Sequence, residues 1–137
     1  MNTTATTTYN PIVPLVGRIL IAAIFLIAGA GKVMKFAGTV AYLTKLGFPA
    51  PEVVTVIAII IEVSGSILLI VGWRTRWVAW LLALFVLIAA FAAHRFWEFD
   101  AAQYANQMNH FLKNLAIIGG LLFVASFGPG SASADKA

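Results

Sequence analysis

The sequence predicts an all-α membrane protein: four transmembrane helices in an antiparallel bundle, with a short interfacial helix between spans one and two. Of the 137 residues, 61% are hydrophobic and only 10% are charged. A soluble domain carries roughly 45–50% apolar residues, and a soluble fold of this size cannot hide the excess. Long apolar runs recur along the chain, each near the ~20 residues that a helix rising about 1.5 Å per residue needs to cross a bilayer.

Residues 1–11 are expected to form a flexible N-terminus. Met1 to Asn10 is rich in Thr and carries no Lys or Arg, and no small-residue cleavage site follows the first apolar run closely, so no cleaved signal peptide is expected. The first span is placed at 12–31, with Pro11 and Pro14 in or just before the first turn, where a missing N–H costs little. Val33, Phe36, Val40 and Leu43 then recur at helical spacing with Lys35 and Lys45 off that stripe, the pattern of a helix lying in the interface. Gly47 stops it and Pro49 and Pro51 prevent its continuation, so the second span is placed at 52–72. Trp73-Arg74-Thr75-Arg76-Trp77 fits a tight turn at a membrane surface, two aromatic anchors bracketing two arginines. That turn makes the second and third spans antiparallel neighbours. The third span is placed at 77–93 and the fourth at 110–127. Between them, residues 95–109 mix Phe96, Trp97, Phe99 and Tyr104 with Glu98, Asp100, Gln103 and Asn106, as an interfacial loop would. Gly128-Pro129-Gly130 ends the single membrane domain, residues 12–127, before a small polar tail at 128–137.

Four spans put both termini and the Arg74/Arg76 turn on one side of the membrane, here called the terminal side. Segments 32–51 and 94–109 share the other, the loop side. Lys and Arg outside the spans are nearly balanced, with Arg74, Arg76 and Lys136 opposing Lys32, Lys35, Lys45 and Arg95. The arginines of the short turn, where the positive-inside rule is strongest, favour cytoplasmic termini. The net charge of +4 comes from nine basic residues scattered singly around the spans rather than set in a stripe, so the bilayer is the expected partner and nucleic acid is not. With no cysteine, disulfides, thiol relays, Cys-ligated clusters and covalent c-type haem are excluded. Any redox role must use a non-covalent cofactor or a partner.

Ionisable side chains within or at the mouths of the spans are Arg18, Glu62, His94 and Lys113, with Lys32 ending span one. Charges there are costly and are usually paired or turned toward a cavity. Glu62 lies ten residues from either end of its span, about 15 Å deep, too far for a short carboxylate to reach the headgroups. Arg18 lies about 9 Å inside span one from the terminal side, which predicts a structural Arg18–Glu62 ion pair. Small residues Gly65 and Ser66 share the face of Glu62 and favour close helix approach. At the loop side, His94 ends span three where Lys113 and Asn114 begin span four. Lys32, Glu62, His94, Lys113 and Asn114 are therefore the candidate ligand-binding residues, lining a pocket walled by Phe and Trp that suits a small polar-aromatic molecule such as a quinone. Plainer roles compete: Lys113 snorkelling to the headgroups, His94 sitting in interfacial water, and a weaker bis-histidine haem reading from His94 and His110. No Asp/Glu/His set has metal-ligand spacing, no glycine-rich loop would cradle phosphate, and no complete catalytic constellation is visible.

Several motifs then form a pattern: Gly17-Arg18, Gly29 through Lys32, Leu46-Gly47-Phe48-Pro49, Glu62 with Gly65, and Gly72 followed by Thr75-Arg76. His94-Arg95-Phe96-Trp97, Phe111-Leu112-Lys113-Asn114-Leu115-Ala116 and Gly119-Gly120-Leu121-Leu122 complete it, with Gly128-Pro129-Gly130, Ser133 and Asp135 in the tail. Over residues 12–135 the chain resembles the DoxX family of bacterial membrane proteins, the Phe-Leu-Lys-Asn-Leu and Gly-Gly-Leu-Leu runs being the most specific part. The resemblance implies a four-helix protein of the bacterial inner membrane. The family takes its name from a subunit of a thiosulfate:quinone oxidoreductase, and relatives are associated with quinone or oxidative-stress responses. The leading expectation is thus a redox-associated membrane component that binds a quinone and works with a redox partner. A structural or assembly subunit of a larger membrane complex and a small-molecule transporter are the alternatives.

Overall fold

A computed structural model describes residues 10–135. The flexible N-terminus expected over 1–11 therefore lies, apart from Asn10 and Pro11, outside the described residues. The helices are α1 (Ile12–Met34), α2 (Phe36–Lys45), α3 (Pro51–Val71), α4 (Thr75–Ala93) and α5 (Ala101–Phe127), with a short 3-10 turn at Phe96–Glu98. Helices α1, α3 and α5, together with α4 carried on through the 3-10 turn, are long and apolar enough to cross a membrane. Helix α2 is the short, non-spanning helix expected between the first two spans.

Helix α1 packs chiefly on α3 and α4 chiefly on α5, while α3 joins α4 and α5 closes back on α1. The result is an up-down-up-down bundle with α2 laid against α3. Its apolar core is interrupted by polar side chains, and its outer surface is apolar, unlike that of a soluble bundle. Arg18, Thr55, Glu62, Ser66 and Thr75 are buried, whereas Leu20, Ile27, Ile60, Phe123 and Phe127 point outward. Apolar side chains outside and polar groups turned inward is the arrangement a bilayer requires.

Local chemistry explains the ends. Pro51 opens α3, where no amide donor is needed. Gly72 closes it in the left-handed region (φ 75°), with its own N–H and that of Trp73 both donating to Leu68 O. The largest departure from expectation is at α5, which begins at Ala101 rather than near residue 110. Asp100 caps it, its carboxylate accepting the Gln103 N–H at 3.0 Å. An acidic cap with Gln three residues on is a helix-start signal, so most of the expected loop is the first turns of a helix standing about 40 Å long. Helix α1 likewise runs three residues past its expected end, to Met34.

Candidate functional site

On the loop side, Glu62 is 4% exposed and both its oxygens accept from Lys32 Nζ, at 2.9 and 2.8 Å. The Arg18–Glu62 pair predicted from depth does not form. The reason is register. Helices α1 and α3 cross with Gly29 against Glu62 and Val63, so Arg18, eleven residues earlier, lies about 16 Å away along the axis, and Lys32, one turn later, takes the carboxylate. The sequence estimate set both helices against a common membrane surface, whereas α1 is displaced toward the terminal side.

Arg18 is instead a cap. Its Nη1 donates to Leu69 O and Ile70 O at 2.9 and 3.0 Å and its Nη2 to Ala132 O, neutralising the carboxyl end of α3 and tying down the tail. Residue Gly72 has no room for a side chain, because a Cβ there would meet Arg18 and Ser133. Arg76 does the same for α5, donating to Ala125 O and Ser126 O at 2.9 and 2.5 Å. Asp135 returns the favour to α4, accepting from the N–H groups of Arg74 (2.7 Å) and Thr75 (2.8 Å). Partial burial opposes the Asp135 charge, but the amides of Thr75 and Arg74 and the nearby Arg18 outweigh it and hold the carboxyl below its ordinary pKa. The terminal side is thus an architectural lock, and Arg18 and Arg76 are engaged with backbone rather than with Glu62.

The loop side is open. One cavity of about 240 Å³ lies among α1, α3, α4 and α5, and Lys32, Glu62, His94, Lys113 and Asn114 all line it, with Phe25 and Phe85 among its apolar walls. All five candidate residues therefore meet at one place. His94 Nδ1 donates to Gln107 Oε1 at 2.8 Å, which fixes the orientation of its ring. Lys113 is exposed, lines the cavity from its rim, and donates to His110 Nδ1 at 3.1 Å. The His94 and His110 rings stack with centroids 4.9 Å apart and planes 20° from parallel, unlike axial haem ligands, whose nitrogens face one another across iron.

Gln107 and Phe85 were not among the residues singled out in the sequence. Gln107 belongs, with His110, to the early turns of α5, a helix marked by the cap signal at Asp100 and Gln103. Phe85 carries no signal of its own, being one apolar residue in an apolar span. Beside it, beneath α2, lies a second and mainly apolar space of about 300 Å³, to which α2 contributes the polar side chains of Thr39 and Tyr42. Partial burial raises the Tyr42 phenol above its ordinary pKa.

A family model described as DoxX matches residues 13–95. The chain belongs to the DoxX family. Two full-length DoxX-like relatives come from Escherichia coli (strain K12). Inner membrane protein YphA is 37% identical over 127 residues, 93% of this chain and 91% of the relative. Inner membrane protein YqjF is 37% identical over 122 residues, 89% and 88% respectively. A shorter likeness, 29% over 79 residues, is to the Surfeit locus protein 4 homolog of Schizosaccharomyces pombe (strain 972 / ATCC 24843), covering 56% of this chain and 26% of that one. No solved structure matches. This DoxX protein is a multi-pass protein of the inner membrane; its family match ends at Arg95, and Lys113 and Asn114 lie beyond it, within the span covered by the full-length relatives.

Proposed function

We propose that the loop-side cavity binds a quinone or a similar small ring compound, and that the protein is a redox-associated component of the inner membrane. One observation carries this reading: Lys32, Glu62, His94, Lys113 and Asn114, from α1, α3, the end of α4 and α5, line a single cavity with phenylalanine walls. Two lysines against one carboxylate make the lining electropositive, which favours carbonyl oxygens of a ring, and the Asn114 amide adds donors. The volume lies below the roughly 300–1,000 Å³ of sites for drug-sized molecules, matching a single-ring head. The chain has no cysteine, so it offers no thiol or Cys-ligated cluster, and electrons would come from a partner protein.

The test is ligand identification on protein purified gently into nanodiscs, followed by thermal shifts with a short-chain quinone analogue. At about a hundredfold excess over Kd the analogue stabilises by about 2.7 kcal/mol. That shift is expected in the wild type and is expected to vanish in His94→Leu and Lys113→Met. Absence of any shift, with other membrane subunits co-purifying instead, would favour the structural-subunit role.

A further inference from the structure

The polar cavity does not stand alone. The apolar space beneath α2 shares Lys32, Glu62, Phe85, Ala89 and His94 with it, so the two compartments meet at the Lys32–Glu62 pair. The second compartment is a slot. Ala58 on α3 and Ala89, Ala92 and Ala93 on α4 line it, small side chains that leave space between the helices. From Phe85 to Ala93 it follows α4 for about 12 Å. Its roof is Tyr42 and Leu43 of α2, and its outer lip includes Ile88, 55% exposed on the surface that faces lipid.

We propose that the bound molecule is an amphiphile that enters sideways from the bilayer, its ring in the polar cavity and its hydrocarbon chain in the slot under α2. This rests on the ring-binding reading above and adds the class of ligand, a lipid-soluble quinone with a chain rather than a water-soluble ring. Adjacency commits the slot to that occupant, because a chain attached to a ring beside Lys32 and Glu62 has the slot as its neighbouring apolar space, the two sharing those side chains as walls. A chain already dissolved in lipid gains little by leaving hydrocarbon for hydrocarbon. The slot therefore acts by orienting the molecule and admitting the head, and blocking it should exclude tailed ligands sterically.

A quinone analogue with a photoreactive diazirine midway along its chain tests this in nanodiscs. Crosslinks are expected at Leu43, Ile88 and Ala92, and excess tail-less analogue should displace them. In Ala92→Leu the tailed analogue should lose about tenfold or more in affinity, with the tail-less one unchanged. Thr39→Leu, at the α2 side of the slot, is the second blocking variant should Ala92→Leu fold poorly. Crosslinks spread equally over Leu20, Ile60 and Phe123, or slot crosslinks that tail-less analogue cannot displace, would overturn the proposal, the latter marking a bilayer acyl chain only. If the tail-less analogue binds while the tail lies elsewhere, the amphiphile inference alone fails. If no ring analogue shifts the wild type at all, the ring-binding reading falls and takes this one with it.

Discussion

Glu62 and Lys32 hold unequal positions in their pair: the carboxylate side chain is 6% exposed and that of the lysine 27%. Removing one partner of a buried pair strands the other charge, which costs more than the pair itself is worth. Lys32→Met should therefore destabilise by about 2 kcal/mol, discounted from the fully buried case because Lys32 is part-hydrated. Glu62→Gln releases a lysine that can turn to water and should cost about half as much. The double variant should be more stable than Lys32→Met alone, since it leaves no orphan charge. A double-mutant cycle of unfolding in mixed micelles measures this, and strict additivity would show that the two side chains are not coupled. That Glu62 needed a cation was legible from its depth in a single span. Which cation it takes was not, because Arg18 and Lys32 sit on the same helix face and only the sliding of α1 against α3 chooses between them.

Helix ends are where the terminal side is built. Asp135 supplies the N-cap that α4 lacks locally, since Arg74 precedes it in a left-handed conformation (φ 49°) and offers no side-chain cap. Asp135→Ala should cost about 1 kcal/mol at neutral pH and open the 128–135 tail to protease. The folded pKa of Asp135 is depressed below the ordinary value near 3.9. Its contribution is therefore complete above about pH 4 and is lost as pH falls through the folded value. Melting curves of wild type and variant should differ by a constant amount from pH 7 to about pH 5 and converge only below about pH 4. Convergence already between pH 7 and 5 would mean that another group holds the tail. At the same scale, α5 shows what periodicity alone misses. Residues 101–109 are polar enough to read as a loop, yet the Asp100 cap and continuity with an apolar span extend the helix through them, placing Gln107 beside His94.

For the bundle as a whole, one contact sets the register that everything above depends on. A Cβ at Gly29 would fall 2.8 Å from Val63 Cγ2 and 3.1 Å from Glu62 Cβ. Valine is stiff at χ1, so Gly29→Ala should force α1 from α3, cost about 1–3 kcal/mol and loosen the Lys32–Glu62 pair. Gly119→Ala meets nothing within 4 Å and should be neutral or slightly stabilising in the same melts. Equal effects at both positions would sink the register argument. Sidedness is testable on a chain without native cysteines. Ser131→Cys and Ala102→Cys both present exposed positions, on opposite faces of a four-span bundle. An impermeant thiol reagent applied to spheroplasts should label Ala102→Cys and spare Ser131→Cys if the termini are cytoplasmic. Labelling of both would be incompatible with four spans.

Lipid acts on each segment separately, so the number of spans, the short non-spanning helix α2 and the need to neutralise Glu62 follow from local composition and length and could be read from the chain alone. The meeting of His94, Lys113 and Asn114 near one surface was equally legible, because consecutive antiparallel helices must return to the same interface. Tertiary structure decided the rest. Two apolar helices in lipid slide over one another with little change in apolar contact, and their final offset is chosen where Gly29 admits Val63 and Glu62. That offset of a few residues moves Arg18 to the end of α3, gives Glu62 to Lys32, folds the tail over the α3–α4 turn, and leaves the space beneath α2 open beside the polar cavity.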